Sequence, residues 1–583
     1  MLSLLRSRYF SCVIGLVGIP LLLALAGCSG MTPSSQKSSD PTTAPSSPSS
    51  NPSQNPNPSP NPNPNPNPSP GPTTQVSVLT REYDNARTGA NLNETVLTPA
   101  NVNVNQFGRL FSYTFQGDTY AQPLYVPNVA IPGQGTHNVV YVATEHDVVY
   151  AFDADGNTAN PLWTASFINP AAGINPVDPA TDFGQLYEDI RNEIGITGTP
   201  VIDPTSGTLY VVAKTNENGN FVQRLHALDI ATGAEKFGGP VLINPTFAGT
   251  GSTVDANGND TFKPLVNNQR AALLLENGIV YVAFGSHGDF DPWLGWVLGY
   301  DAQTLQIVKM FLPTPDDDGG SIWQAGGGPA ADSSGNVYIA AANGGFDVPN
   351  GGRDYGDSFL KLSPAGNPME VLDYFTPYDQ SLRNNNDWDI GSGGVMLVPD
   401  QPSGPAHLLI SGDKEGLLFV INRDHMGQFN GSDNSGAVQT VQVNPGIPTN
   451  QGIFASPAYW SGNVYIGGVG NPLQAYKLSG GQLSLSSQSH TVFPYPGITP
   501  VVSANGNSNA IVWAVDVAGF DTGFHGTLHA YDANNLGNEL YNSDMAALRD
   551  TAPGGVKFTV PVIANGKVYM AGRDGMVVYG LLH

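Results

Sequence analysis

A β-branched or aliphatic residue followed by an aromatic or second aliphatic one returns eight times along this chain. The pairs are Val140-Tyr141, Leu209-Tyr210, Val280-Tyr281, Val337-Tyr338, Leu408-Leu409, Val464-Tyr465, Val512-Trp513 and Val568-Tyr569. The steps average about 61 residues, which is a repeat period and overrides the two or three domains that a stretch of roughly 500 residues would otherwise suggest. Before most pairs lies a short strand opened by proline, as in Gln122-Pro123-Leu124, Thr199-Pro200-Val201, Gly328-Pro329-Ala330, Ser456-Pro457-Ala458, Thr499-Pro500-Val501 and Val560-Pro561-Val562. After several of them an alternating strand ends in aspartate, at Asp153, Asp229, Asp301 and Asp532. Glycine and asparagine turns join the strands, so each unit reads as a small antiparallel meander. Such a meander cannot bury both faces alone, and radial closure buries them while leaving few open edges.

The expected fold is therefore all-β, an eight-bladed β-propeller. Its last unit supplies only three strands, at 560–564, 567–571 and 576–582, so residues 109–115 are predicted to provide the fourth and close the ring. The length beyond a minimal blade is assigned to loops around 165–195, 240–268 and 373–392.

The N-terminus is an export signal followed by a tether. Arg6 and Arg8 precede an apolar run from Val13 to Leu25, which has signal-peptide length and is too short for a stable membrane span. Leu25-Ala26-Gly27-Cys28 resembles the bacterial lipobox. That resemblance implies a signal peptide over 1–27, a lipidated Cys28 and a cell-envelope location, with Ser29 favouring the outer membrane over the inner. Residues 28–75 are rich in Ser, Pro and Asn and form an expected disordered tether; residues 76–583 are the propeller. Cys12 and Cys28 are the two cysteines of the chain, so the mature protein has no disulfide and no thiolate metal site. With 48 acidic against 23 basic residues, the surface repels nucleic acid and anionic lipid headgroups. Membrane attachment is expected through the lipid alone, and the protein is expected to be a monomer.

The segments Val140–Gly156 and Gly207–Gly233, with their Tyr-Val, Ala-Phe-Asp, His-Ala-Leu-Asp and Ala-Thr-Gly elements, resemble the repeat of pyrroloquinoline-quinone-type propellers, the quinoprotein alcohol dehydrogenase-like fold. The likeness covers 105–583. Trp163 stands where that family's blade-to-blade tryptophan motif would place one. The same repeat serves quinoprotein dehydrogenases and non-enzymatic scaffolds such as an outer-membrane assembly lipoprotein. For a dehydrogenase, the resemblance implies quinone and Ca²⁺ on the propeller axis, with Glu, Asn and Asp near the metal, an Asp base and a stacking Trp. The ring that adjacent cysteines often form in that family is impossible here.

Loops entering the innermost strands of a propeller converge on the axis. That selects Gln122, Glu193, Arg270, Trp323, Gln324, Asp387, Asp389 and Lys557, and the loops after the second strands add His287, Asp289, Asn343 and Lys414. As a site, Asp387 and Asp389 are catalytic candidates. Gln122, Arg270, Trp323, Gln324, Lys414 and Lys557 would contact a cofactor, and Glu193, His287, Asp289 and Asn343 would serve a metal, Ca²⁺ through hard oxygen ligands. The competing reading is that these side chains cap strand ends and pair with one another. No phosphate-binding Gly-rich loop, His-Glu-x-x-His or nucleophile elbow is present. Two functions follow: first, a tethered binding or scaffold module for envelope proteins or an extracellular ligand; second, an oxidoreductase of alcohols or sugars using pyrroloquinoline quinone and Ca²⁺.

Overall fold

The computed structural model describes residues 75–184, 187–443 and 452–583; the expected signal peptide, Cys28 and the expected tether up to residue 74 lie outside the described residues. Seven blades, each with four antiparallel strands at its core, follow one another over 124–166, 201–242, 274–311, 330–376, 396–442, 458–493 and 501–542, and those at 201–242, 274–311, 330–376 and 501–542 each gain a fifth strand. The eighth is built from Val562–Ala564 and Lys567–Leu581, and Phe107–Asp118 completes it. That N-terminal strand runs antiparallel to the C-terminal one, with Phe107 opposite Leu581 and Asp118 opposite Arg573. The predicted closure at 109–115 is thus present and slightly longer than expected.

Each blade packs on the next through an apolar cluster. Leu124 and Tyr141 meet Ile202 and Leu209 between blades 1 and 2, and Val562 and Tyr569 meet Tyr125 and Val140 between blades 8 and 1, which shows that the ring is shut. The recurrent tyrosine has a second use. Tyr141, Tyr210, Tyr465 and Tyr569 each donate their hydroxyl to a carbonyl of the following blade, at Ile230, Ala302, Ala533 and Ala154, over 2.7–3.0 Å. A buried ring with one polar tip needs such an acceptor, which explains why tyrosine recurs there. Trp163 does the same, its indole N–H reaching the Ile230 carbonyl at 2.9 Å. The aspartates that end the third strands accept backbone N–H groups two residues on, at Asp155, Ala231, Gln303 and Asn534. They are Asx turns, so part of the acidic charge is structural.

The long loops carry structure of their own. The 240–268 segment folds a hairpin, Thr246–Ala248 against Asn259–Thr261, and the 373–392 segment holds the helix Gln380–Asn386.

Residues 78–91 make a circuit that periodicity does not announce. In chain order, backbone groups of Val78, Leu79, Asn85, Ala86, Thr88 and Gly89 bond the innermost strands of blades 1, 2, 4, 5, 6 and 7 at Tyr125, Ile202, Ala331, Leu397, Tyr459 and Val502. The Asn85 side chain reaches Leu275 of blade 3, and the Tyr83 hydroxyl and Asn91 amide hold both sides of Ile563 in blade 8. This clasp touches all eight blades. Its core is Arg87, fully buried, whose guanidinium donates to Thr80 Oγ1 and to the carbonyls of Arg81, Leu273 and Pro329. Just after the clasp, Leu92 and Glu94 bond Gly506 and Gly566 in the turns joining first to second strands of blades 7 and 8. One end of the axis is therefore closed by the chain itself, and the loops that enter the innermost strands form the other.

Candidate functional site at the open end of the axis

Blades 4 and 5 bring the chemistry together. The link into blade 4 carries Trp323, and the turn after its second strand carries Asn343. The link into blade 5 carries Asp387 and Asp389, and the turn after its second strand carries Lys414. Lys414 Nζ lies 2.6 Å from Asp387 Oδ1 and 2.9 Å from Asp389 Oδ2, and 5.7 Å above the Trp323 ring. Asp389, buried, also accepts from Trp323 Nε1 at 3.1 Å and from the Asn343 backbone N–H at 3.3 Å. Asn343 Nδ2 donates to Asp387 at 2.9 Å, while Asn343 Oδ1 is buried and meets no donor among the described residues.

Arg383 holds this arrangement in place. It sits on the helix Gln380–Asn386, whose left-handed cap is Asp387 at φ 59°. Its guanidinium bonds Asp379 at 2.8 Å and Asp413 at 2.6 Å, and pairs with Glu415. Asp413 and Glu415 flank Lys414, so one buried cation fixes both the helix that ends in Asp387 and the turn that presents Lys414.

The protonation states follow from the surroundings. Lost solvation at the mouth, with Asp389 beside it, pushes the Asp387 carboxyl up to about 6, against the pull of Lys414. Burial would lower Lys414, but Asp389, Asp387 and Asp289 together hold its ammonium well above the ordinary lysine range. Asp289 is raised by burial and by Asp389, which places it on the same mouth, where it accepts from Ser286 Oγ.

The other expected residues stand elsewhere. Glu193 pairs with His146 at 2.7 Å, and no contact joins it to Asn343 or Asp387. His287 is buried against Phe183 and bonds Tyr187 Oη at 2.9 Å; burial pushes its pKa well below the usual value. Gln122 accepts from the Glu82 backbone N–H of the clasp, and Gln324 bridges Gly328 O and the Ala340 N–H; both are structural. Arg270 is stacked between Tyr120 and Phe558, and Lys557 lies over Phe520 and 3.4 Å from Asp189. Among the described residues, no group of three or more His, Cys, Asp or Glu is placed to hold a metal ion.

An aromatic wall faces the carboxylates. Trp323, Phe454 and Tyr495 follow one another at 6.0 Å, Phe520 lies 5.9 Å beyond, and Phe558 contacts both Trp323 and Phe454. Sequence reasoning missed these rings because it sought polar groups. The signal was present, since Phe454, Tyr495 and Phe558 each shortly precede a proline-opened strand.

No protein-family profile and no curated protein matches this chain. Solved structures do. A quinohemoprotein alcohol dehydrogenase from Pseudomonas putida HK5 superposes with a TM-score of 0.55 at 15% identity, over 87% of this chain and 80% of that one. The quinohemoprotein alcohol dehydrogenase of Comamonas testosteroni gives 0.54 at 16%, over 86% and 80%. A europium-containing methanol dehydrogenase gives 0.55 at 13%, over 87% and 98%. The chain shares with these structures the architecture of an eight-bladed β-propeller. At these identities the likeness speaks for architecture only, and the chemistry must be argued from the mouth.

Proposed function

We propose that the open end of the axis is the active site of a pyrroloquinoline-quinone-dependent oxidoreductase acting on alcohols or sugars. One observation supports this over the scaffold reading: Trp323, Asn343, Asp387, Asp389 and Lys414, from two neighbouring blades, bond one another in a single group at the mouth. A scaffold has no need of two carboxylates, an ammonium and a half-buried indole held in mutual contact.

The residues fit the implied groups. Asn343 Oδ1, which meets no donor among the described residues, and the Asp389 carboxylate would offer oxygen ligands of the kind that suit Ca²⁺, and Trp323 offers a ring face to a planar cofactor. When bound, the quinone supplies a two-electron acceptor. The chain's own residues do the rest. Asp387, at the mouth with its carboxyl pushed up to about 6 by lost solvation and the neighbouring Asp389, is the group placed to take a proton from a substrate hydroxyl onto its carboxylate oxygen, since a base works best with its pKa near the working pH. Asp389, accepting two hydrogen bonds and ion-paired with Lys414, orients Trp323 and Lys414.

The test is reconstitution. Purified protein titrated with pyrroloquinoline quinone and CaCl₂ should bind both by calorimetry and then reduce a dye with an alcohol or sugar. Absence of quinone binding removes this reading in favour of a binding module, to which Phe524, 67% exposed, and Tyr495, 42% exposed, would offer contact surface. We further read the protein as a Cys28-anchored lipoprotein of the bacterial envelope. Fatty-acid labelling that persists in Cys28→Ala would overturn that.

A further inference from the structure

We propose that the row of aromatic rings leading out from Trp323 receives the body of the substrate, and that the substrate is an aryl alcohol, a hydroxymethyl group carried on an aromatic ring system. This inference rests on the oxidoreductase reading above and narrows its substrate from alcohols or sugars to one class.

The rings come from separate segments. The links into blades 4, 6, 7 and 8 supply Trp323, Phe454, Tyr495 and Phe558, and the turn after the second strand of blade 7 supplies Phe520. Trp323, Phe454 and Phe558 form a triangle with centroids 6.0, 6.2 and 6.5 Å apart. From Phe454 the row continues to Tyr495 at 6.0 Å and on to Phe520 at 5.9 Å. Its inner end belongs to the polar group, since the Trp323 N–H is held by Asp389 at 3.1 Å. Its outer end is in solvent, where Tyr495 is exposed. None of these rings is fully buried, and contiguous apolar surface left in water beside polar groups at the end of an axis marks a place for an apolar ligand. Phe558 sits at φ 64°, a left-handed conformation that bulky side chains rarely adopt, so backbone strain is borne where this ring joins the triangle.

The chemistry around the rings selects an uncharged aromatic body. A cationic ligand would compete with cations already in place, because Lys414 lies 5.7 Å from the Trp323 ring and Arg270 and Lys557 lie 5.4 Å from Phe558 and Phe520. An anionic ligand would meet Asp387 and Asp389 at the inner end, which the single Lys414 ammonium does not offset. A sugar needs free polar side chains for its several hydroxyls, since desolvated hydroxyls without partners are costly. The polar groups beside the rings are committed: Lys414 to Asp387 and Asp389, the Asn343 amide N–H to Asp387, the Trp323 N–H to Asp389 and Lys557 to Asp189. One hydroxyl can be received, at Asp387, and the rest of the ligand meets carbon. The triangle's rings are tilted by 40°, 41° and 62° to one another, which offers an entering ring the offset and edge contacts that aromatic pairs prefer. Oxidation of the hydroxymethyl group to an aldehyde releases one proton, taken by Asp387, and one hydride, taken by the two-electron acceptor.

Quinone-free full-chain protein tests the rings first. Titrated with benzyl alcohol and followed by saturation-transfer NMR, it should show one saturable site with half-saturation at about 5 mM or tighter. Cyclohexanemethanol should bind at least about threefold and glucose at least about tenfold more weakly. Phe454→Ala should weaken benzyl alcohol at least about fivefold, and Tyr495→Ala, at an exposed ring, about twofold. After reconstitution with pyrroloquinoline quinone and CaCl₂, kcat/KM for benzyl alcohol should exceed that for glucose at least about 100-fold. Equal binding of benzyl alcohol and either comparator, or benzyl alcohol binding that neither variant weakens, overturns the proposal even where the reconstituted protein reduces a dye. Failure to bind quinone overturns the oxidoreductase reading and with it the assignment of a substrate, while the NMR titration still decides whether an aryl group docks on the rings. Should Phe454→Ala not fold, Tyr495→Ala carries the comparison.

Discussion

The two ends of the propeller axis are held by different forces. At the closed end, backbone groups of residues 78–89 bond the innermost strands, and one buried arginine spends its donors on main-chain carbonyls and a threonine hydroxyl. At the open end, long loops present charged side chains that mainly bond one another and remain partly in contact with solvent. Main-chain pairing tolerates little change in geometry but much in sequence. Side-chain chemistry on loops is the reverse, which is why binding and catalysis collect there. The comparison predicts that substitutions at the closed end cost stability and that substitutions at the open end cost function.

The largest effect is expected at Arg87. Arg87→Ala leaves the carbonyls of Leu273, Pro329 and Arg81 buried without those donors, at about 1–3 kcal/mol each, so thermal unfolding should show a loss of about 4 kcal/mol or more. A near-neutral result would break the view that the clasp locks the ring. Arg383 sharpens the comparison because it is an exception, a structural ion at the functional end. Arg383→Met strands the buried Asp413 carboxylate and should cost about 3 kcal/mol, while also releasing Asp387 and Lys414. Reconstituted quinone binding should fall with it.

Glu145, in the turn after the second strand of blade 1, has its carboxyl pushed up to about 7 by burial. The folded chain then holds this proton more tightly than the unfolded one. Its stabilising contribution is full below about pH 4.5 and is lost as pH rises to about 7, up to about 3 kcal/mol. Denaturant titrations across that window should show the decline, and Glu145→Gln should flatten it. The smallest effect on stability belongs to Asp387. Asp387→Asn should shift unfolding by less than about 1 kcal/mol while lowering dye reduction by about 100-fold or more, as removal of a general base does. Equal loss of stability and activity there would merge the two ends into one structural class.

Much of the mouth was legible before any coordinates. Trp323, Asn343, Asp387, Asp389, Asp289 and Lys414 all emerge from the rule that loops beside the inner strands converge. The same rule also selected Gln122, Gln324, His287 and Glu193, which serve the clasp, their own loop, an aromatic cluster and a histidine pair. Position along the strand says that a side chain begins near the axis; it does not say how deep it lies or which neighbour takes its hydrogen bonds. Arg383 was invisible for a related reason, since two of its three acidic partners, Asp413 and Glu415, reach it only when the helix packs on blade 5.

The eight-fold repeat, the strand order within each blade and the N-terminal closure were determined by sequence alone, because they depend on local alternation, turn chemistry and the need to bury both faces of every sheet. The clasp, the Asp387–Lys414–Asp389 arrangement and the stacked Arg270 were decided only by the tertiary structure. Each joins segments tens to hundreds of residues apart through directional hydrogen bonds and charge, and those contacts leave no periodic trace in the chain.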